Sequence, residues 1–171
     1  ITSPYELNED QYKAALDLLR TQRTLVSRYW HDAFIQIDDF KNEGVVASGS
    51  WPFQVNLLKA DGQPVASTIP QEGATGWADT TMLHTDAAHP NCAYMWFDHQ
   101  LSSNLQADLS VWFGAVPSVP AACTDGRGMQ TGEGCDANGL KDFDRIRFWT
   151  TPVSNCSAGE GACVPYYRWV S

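Results

Sequence analysis

Val45-Val46-Ala47-Ser48-Gly49-Ser50-Trp51-Pro52-Phe53-Gln54 is the stretch on which the fold turns. Its first six residues are apolar or small and β-branched at the start, the pattern of a strand buried on both faces. Pro52 suits the first position of a helix, where its preset φ helps and its missing N–H is not needed. Phe53, Leu57 and Leu58 then give that helix its core residues, and Asp61-Gly62 stops it. A strand running straight into a helix is the repeating unit of an α/β fold. Trp51 stands at the junction, and in open α/β sheets ligands bind at the carboxyl ends of strands.

The flanking sequence extends the alternation in both directions. Upstream, Asn8 and Gln11 form a capping-box pair for a helix to about Gln22, with Tyr12, Ala15, Leu16 and Leu19 on its apolar face. Leu25 to Trp30 reads as a short strand. Asp32 caps a second helix that buries Ala33, Phe34, Ile37 and Phe40 and ends near Gly44. Downstream, Val65 to Ile69 is the next strand, and Gln71 to Met82 follows it. In that segment Gly76-Trp77-Ala78-Asp79 sets an indole and a carboxylate two residues apart. If the segment is extended, as Thr80 to Leu83 imply, both project from one face. An ammonium can lie over an indole within about 6 Å of its centroid while its N–H groups bond a carboxylate. Trp51 and Trp77 would then be two walls of one box. Seven tryptophans in 171 residues is a high count, and most tryptophans elsewhere are core residues, so the aromatic count alone does not define a site.

From Pro90 two helices follow in succession, one carrying Ala93, Trp96, Phe97 and Leu101, the other Leu105, Leu109, Trp112 and Phe113. Ser102 or Ser103 caps the second and Gly114 closes it. Trp96 and Trp112 fall on apolar stripes and are expected in the core. Pro117 to Asn138 is a long Gly/Pro-rich loop, Leu140, Phe143 and Ile146 support one more helix, and Val164 to Val170 is a short aromatic tail.

The acidic balance, 20 Asp and Glu against 11 Lys and Arg for a net charge of −9, repels nucleic acid and anionic membranes and attracts cations. No apolar run approaches the roughly 20 residues of a spanning helix. The chain opens on Ile1, as expected of a processed product or a piece of a longer protein. Cys92, Cys123, Cys135, Cys156 and Cys163 crowd the second half without any C-x-x-C, which favours disulfides and an oxidising compartment over zinc. Cys156 with Cys163 and Cys123 with Cys135 each close a Gly-containing loop. The spacing also leaves a Cys92–Cys123 bridge open, or a buried free thiol at Cys92.

Catalytic and metal chemistry find little footing. His31, His84, His89 and His99 show no metal spacing, and there is no nucleophile-elbow or phosphate-cradling motif. Glu72 and Asp79 can be read as a glycosidase acid/base pair with Trp77 as a sugar platform, but so can many carboxylate pairs in an acidic chain. Asn155-Cys156-Ser157 fits the N-glycosylation pattern. No catalytic residue, metal or cofactor is expected.

Val45 to Gln54, then Pro70-Gln71-Glu72-Gly73-Ala74-Thr75-Gly76-Trp77-Ala78-Asp79, then the Asn91 to Gly114 helix pair resemble, in collinear order, the polyamine-binding (spermidine/putrescine) solute receptors of bacterial ABC transporters. The tail, including Phe148-Trp149-Thr150-Thr151-Pro152, is similar to that of a cysteine-bearing subgroup. The resemblance implies an α/β, periplasmic-binding-protein type II-like fold, here a partial two-lobe receptor with a disulfide-containing C-terminal region. Residues 1–75 would belong to the second lobe, and 76–171 would bring a crossing strand, the helix pair and the tail to the first. The N-terminal half of the receptor would be missing. Trp51 and Trp77 would serve as aromatic walls, Asp79 as the ammonium partner and Gln54 as a further ligand residue. The implied partners are a small cationic ligand (a polyamine) and a membrane ABC permease, with a periplasmic or extracellular location, lipid-anchored in the precursor.

Gln54 stands where some members carry an acid, and Ala115 where they carry a tyrosine. Trp51 also lies at a helix N-terminus, whose partial positive charge disfavours an ammonium. A ligand with both an amine and a carboxylate therefore suits the site as well, and a zwitterion or sugar receptor, a small secreted hydrolase and a disulfide-stabilised interaction module are the competing readings.

Overall fold

The computed structural model describes residues 3–124 and 133–150, together with Val164 and Arg168. The chain forms two compact units. One draws on Ile1–Tyr29, Gly73–Ala78 and Ile146–Ser171, the other on Trp30–Glu72 and Asp79–Arg145.

In the first unit, helix α1 (Glu9–Arg23) starts where its capping box predicts. Asn8 Oδ1 accepts the Gln11 N–H at 2.9 Å, and Gln11 Oε1 accepts the Asn8 N–H at 3.0 Å. Tyr12 packs with Leu7 and Val164, flanked by Ala15 and Leu16, whereas Leu19 is exposed and does not join the buried face. The Arg168 guanidinium lies 5.0 Å from the Tyr12 ring centroid and pairs with Glu9. Its hydrogen bond to Glu9 holds that carboxyl below the ordinary glutamate range. Strands β1 (Ala74–Gly76) and β2 (Ile146–Phe148) form a parallel pair in the register Ala74 with Ile146 and Gly76 with Phe148. The Gly76 carbonyl accepts the Trp149 N–H at 2.7 Å. A Cβ on Gly76 would stand 2.6 Å from Ile146 Cγ2, so the strands approach this closely only with glycine there.

In the second unit, Asp32 Oδ1 accepts the N–H groups of Phe34 and Ile35 and starts helix α2 (Ala33–Asn42), which ends at Gly44 with φ +70°. Helix α3 (Pro52–Ala60) opens on its proline and ends before Gly62, also left-handed. Helices α4 (Pro90–Gln100) and α5 (Ser103–Phe113) form the expected pair, α5 closing on left-handed Gly114. A 3-10 turn over Pro120–Cys123 and helix α6 (Glu133–Ala137) carry the two ends of the Cys123–Cys135 disulfide. Both cysteines pack with Ala107 and Ala122 in a small core. Cys92 is thus neither bridged to Cys123 nor buried; it is an exposed free thiol. Cys156 and Cys163 lie outside the described residues.

Several expectations are corrected. Leu25–Trp30, Val45–Ser50, Val65–Ile69 and Thr80–Leu83 are not strands. Branched side chains favour extended backbone, but a strand is stabilised by its ladder partner, and β1 and β2 are the only paired strands among the described residues. Val46, 94% exposed, faces no sheet. Leu140–Arg145 is a 3-10 segment kinked at Asp142, and Ile146 belongs to β2. In α2 the buried stripe is rotated, with Gln36, Ile37 and Asp39 inside and Phe34 exposed. In α3 the enclosed residues are Gln54, Val55 and Leu58, with Leu57 exposed. Trp96 and Trp112 are 53% and 73% exposed, so neither is a core residue, and α4 buries no side chain at all.

Candidate functional site

Trp51 occupies the residue before α3 with extended backbone, φ −87° and ψ 159°. An indole has no acceptor oxygen, so it cannot cap the N–H groups of the first turn. Only the return half of a capping box forms: Gln54 Oε1 accepts the Trp51 N–H at 3.2 Å. Gln54 is fully enclosed, and its Nε2 has no hydrogen-bond partner. The Trp51 ring is 44% exposed, so the α3 N-terminus carries an accessible aromatic surface beside a buried amide.

The ring that meets Trp51 is Trp30, which spacing did not single out. Their centroids are 5.0 Å apart with planes at 86°, an edge-to-face pair. Trp30 is held by its indole N–H, which donates to the Gly49 carbonyl at 2.8 Å. Gln36 from α2 donates its Nε2 to the same carbonyl at 3.4 Å, leaving Gln36 Oε1 buried and unpartnered. The Gly49 carbonyl thus accepts from Trp30, from Gln36 and from Ser48 Oγ at 2.9 Å, while the Trp51 backbone is held by Gln54 at its N–H and by Ser50 Oγ, which donates to its carbonyl at 3.0 Å. The sequence signal that could have found Trp30 is its position just before the Asp32 cap, matching Trp51 just before Pro52. Each tryptophan guards a helix entrance.

Gly114 fixes the other side of this junction. A Cβ there would stand 2.5 Å from Phe53 N and 2.9 Å from Pro52 C, so the end of α5 sits directly on the first turn of α3. Asn138 reinforces the contact by donating to Ala115 O at 3.0 Å and accepting from Asn56 Nδ2 at 3.1 Å. A groove of about 350 Å³ lies beside α3, lined by Phe53, Leu57, Val111, Trp112 and Asn138 among others; Trp51 and Gln54 do not line it.

The other two predicted residues are placed differently. Trp77 follows β1 in the first unit, 52% exposed. Asp79 is exposed and belongs to the second unit. The ladder closes at Gly76, so strand alternation does not set Trp77 and Asp79 on one face as expected. Glu72 is exposed as well. Among the described residues no group of three or more His, Cys, Asp or Glu could hold a metal ion, and no helix is long and apolar enough to cross a membrane.

No protein-family model matches the chain. Among curated proteins it is similar to a putrescine/agmatine-binding protein of Pseudomonas aeruginosa, 31% identical over 113 residues, which is 63% of this chain and 30% of that protein. The chain thus matches less than a third of the length of that relative. The likeness agrees with the resemblance to polyamine-binding receptors read from the sequence.

Proposed function

We propose that this chain is part of an extracytoplasmic receptor that captures a polyamine and hands it to an ABC permease, without covalent chemistry. The likeness to a putrescine/agmatine-binding protein is the observation that carries this reading. Trp51 and Trp77 supply aromatic walls, Asp79 pairs with an ammonium and Gln54 supports Trp51 from behind. The partial exposure of both tryptophans supports these roles, since a ring must be accessible to receive a ligand. In this reading residues 1–75 belong to the second lobe and 76–171 to the first.

A desolvated cation–π contact contributes about 2 kcal/mol. Micromolar affinity needs about 8 kcal/mol, so two rings and one carboxylate reach it only when the lobes close and exclude water. The test is a tryptophan-fluorescence titration with putrescine, spermidine, a neutral amino acid and a sugar, on this chain and on the full-length product. Saturable quenching by the polyamines in the full-length product supports the receptor reading, and Asp79→Asn should then weaken binding at least tenfold. Absence of any polyamine response in both proteins would refute it.

A further inference from the structure

Asn138-Gly139 is the one Asn-Gly pair in the sequence. The pair has a chemistry of its own, because glycine sets no side chain beside its backbone nitrogen and lets the chain bend as ring closure needs. The Gly139 nitrogen gives up its proton and attacks Asn138 Cγ. An N–C bond forms, the Cγ–Nδ2 bond breaks, and the side-chain nitrogen takes up a proton and leaves as ammonia. Water then opens the cyclic imide at either carbonyl. Aspartate or isoaspartate replaces the asparagine, with only water consumed and no change of oxidation state.

The fold holds both reacting groups elsewhere. Asn138 and Gly139 make the turn between α6 and the 3-10 segment Leu140–Arg145. The half-buried Asn138 donates its Nδ2 to Ala115 O at 3.0 Å and to Ser110 O at 3.4 Å, and its Oδ1 accepts from Asn56 Nδ2 at 3.1 Å. The carboxamide is thus tied to the end of α5 and the middle of α3. The Gly139 N–H donates to Asp136 O at 3.1 Å, the Asn138 N–H to Gly134 O at 3.0 Å, and the Gly139 carbonyl accepts the Asp142 N–H at 3.2 Å. Attack requires the side-chain bonds of Asn138 and the N–H bond of Gly139 to open together, a local unfolding of the turn. The labile pair is nonetheless what the turn demands. Gly139 has φ +114°, a region that favours glycine, and the end of α5 needs a donor from position 138.

The product does not fit back. Asn138 is the one hydrogen-bond partner of Ala115 O among the described residues, and a carboxylate offers that carbonyl no donor. Ser110 O keeps the N–H groups of Gly114 and Ala115, at 2.9 and 3.2 Å, but would face negative oxygen as well. Asn56 Nδ2 alone suits the change. Isoaspartate also adds a methylene to the backbone of a tight turn. We propose that Asn138-Gly139 is a deamidation site gated by the fold: the native turn keeps it closed, local opening exposes it, and conversion weakens the seat of α5 on α3. Every opening carries a chance of permanent change, so the site records how often this part of the chain has opened. Ala115 follows Gly114, which sits on Pro52 and Phe53, so conversion loosens the junction that carries Trp51.

The test is incubation of this chain in mildly alkaline buffer, folded and unfolded in guanidinium chloride, with conversion at each asparagine read by mass spectrometry of proteolytic peptides. The unfolded chain should convert at Asn138 before any other asparagine. The folded chain should convert there at least roughly thirtyfold more slowly, the scale of two hydrogen bonds that must open together. Asn56→Ala removes one of the bonds and should raise the folded rate several-fold with the unfolded rate unaltered, circular dichroism confirming that the variant folds. Asn138→Asp, the plain hydrolysis product, should unfold at a lower urea midpoint. The rates use no variant at position 138 and stand whether or not that one folds. Equal rates in the folded and unfolded chain overturn the gate, and earlier conversion of another asparagine in the unfolded chain overturns the site. An unaltered folded rate in Asn56→Ala overturns the role of the carboxamide bonds. An Asn138→Asp midpoint equal to that of the unmodified chain overturns the link to the α5 seat.

Discussion

Replacing Gly114 by alanine tests the seat of α5 on α3, because two separate terms oppose the change. The backbone at Gly114 is left-handed, φ +71°, where a side chain costs about 1–2 kcal/mol. The new methyl also meets backbone, standing 2.5 Å from Phe53 N and 2.8 Å from Phe53 Cα, and no rotamer change relieves such a contact. Overpacking of this kind costs a further 1–3 kcal/mol or so. Alanine also restricts the unfolded chain, which offsets about 0.4–1 kcal/mol. Gly62 in the same unit provides the control: its φ is +75°, and a methyl placed there would have nothing within 4 Å. Gly62→Ala therefore carries the backbone and unfolded-state terms without the clash. The expected losses are about 1 kcal/mol for Gly62→Ala and about 2–4 kcal/mol for Gly114→Ala. With a urea slope near 2 kcal/mol per molar, the two midpoints should separate by roughly 0.5–1.5 M in unfolding followed by far-ultraviolet circular dichroism. Equal midpoint shifts would mean that Gly114 does not press on Pro52 and Phe53, and the geometry drawn around Trp51 would fall with it.

Three further outcomes are expected. Reducing Cys123–Cys135, separated by 12 positions, should lower stability by about 3 kcal/mol on the chain-entropy account, read as the difference between urea curves with and without reductant. Glu9 titrates lower in the folded chain than in the unfolded one because Arg168 bonds its charged form. Its contribution is therefore present above the unfolded glutamate range and is lost as pH falls through the folded value; Glu9→Gln should flatten that acid limb in a stability–pH profile, and an unaltered limb would count against the pairing. Trp112→Gln should change the stability of this chain by no more than about 0.5 kcal/mol, because the ring is mostly exposed, whereas a loss of several kcal/mol in thermal unfolding would restore it to the core.

The helices were legible because their signals are local. Asn8 with Gln11, Asp32 and Pro52 mark starts, and Gly44, Gly62 and Gly114 mark stops, each acting within one turn of itself. The strands were not, because extended propensity in Val45–Ser50 says nothing about whether a partner strand lies alongside. The pair that does form, Ala74–Gly76 with Ile146–Phe148, is too short to show an alternating pattern. Trp96 and Trp112 misled for a related reason: a helical apolar stripe records a preference for burial and not the presence of a surface that provides it. At the candidate site, Trp51 was legible from its junction. Trp30 was not, since its contact with Trp51 spans 21 positions and no periodicity links them. The open halves of Gln36 and Gln54 emerge only once every hydrogen bond around Gly49 is counted.

The short parallel ladder has a consequence for how the chain comes together. Ala74 meets Ile146 across 72 positions, so their pairing must close a very long loop, at an entropic cost of about 4 kcal/mol, set against three residues of ladder on each side. Such a clasp cannot nucleate anything. It forms late, after the helices of the intervening segment have shortened the distance its ends must search, and amide protons at Thr75 and Arg147 should therefore exchange with solvent earlier than those in the middle of α1.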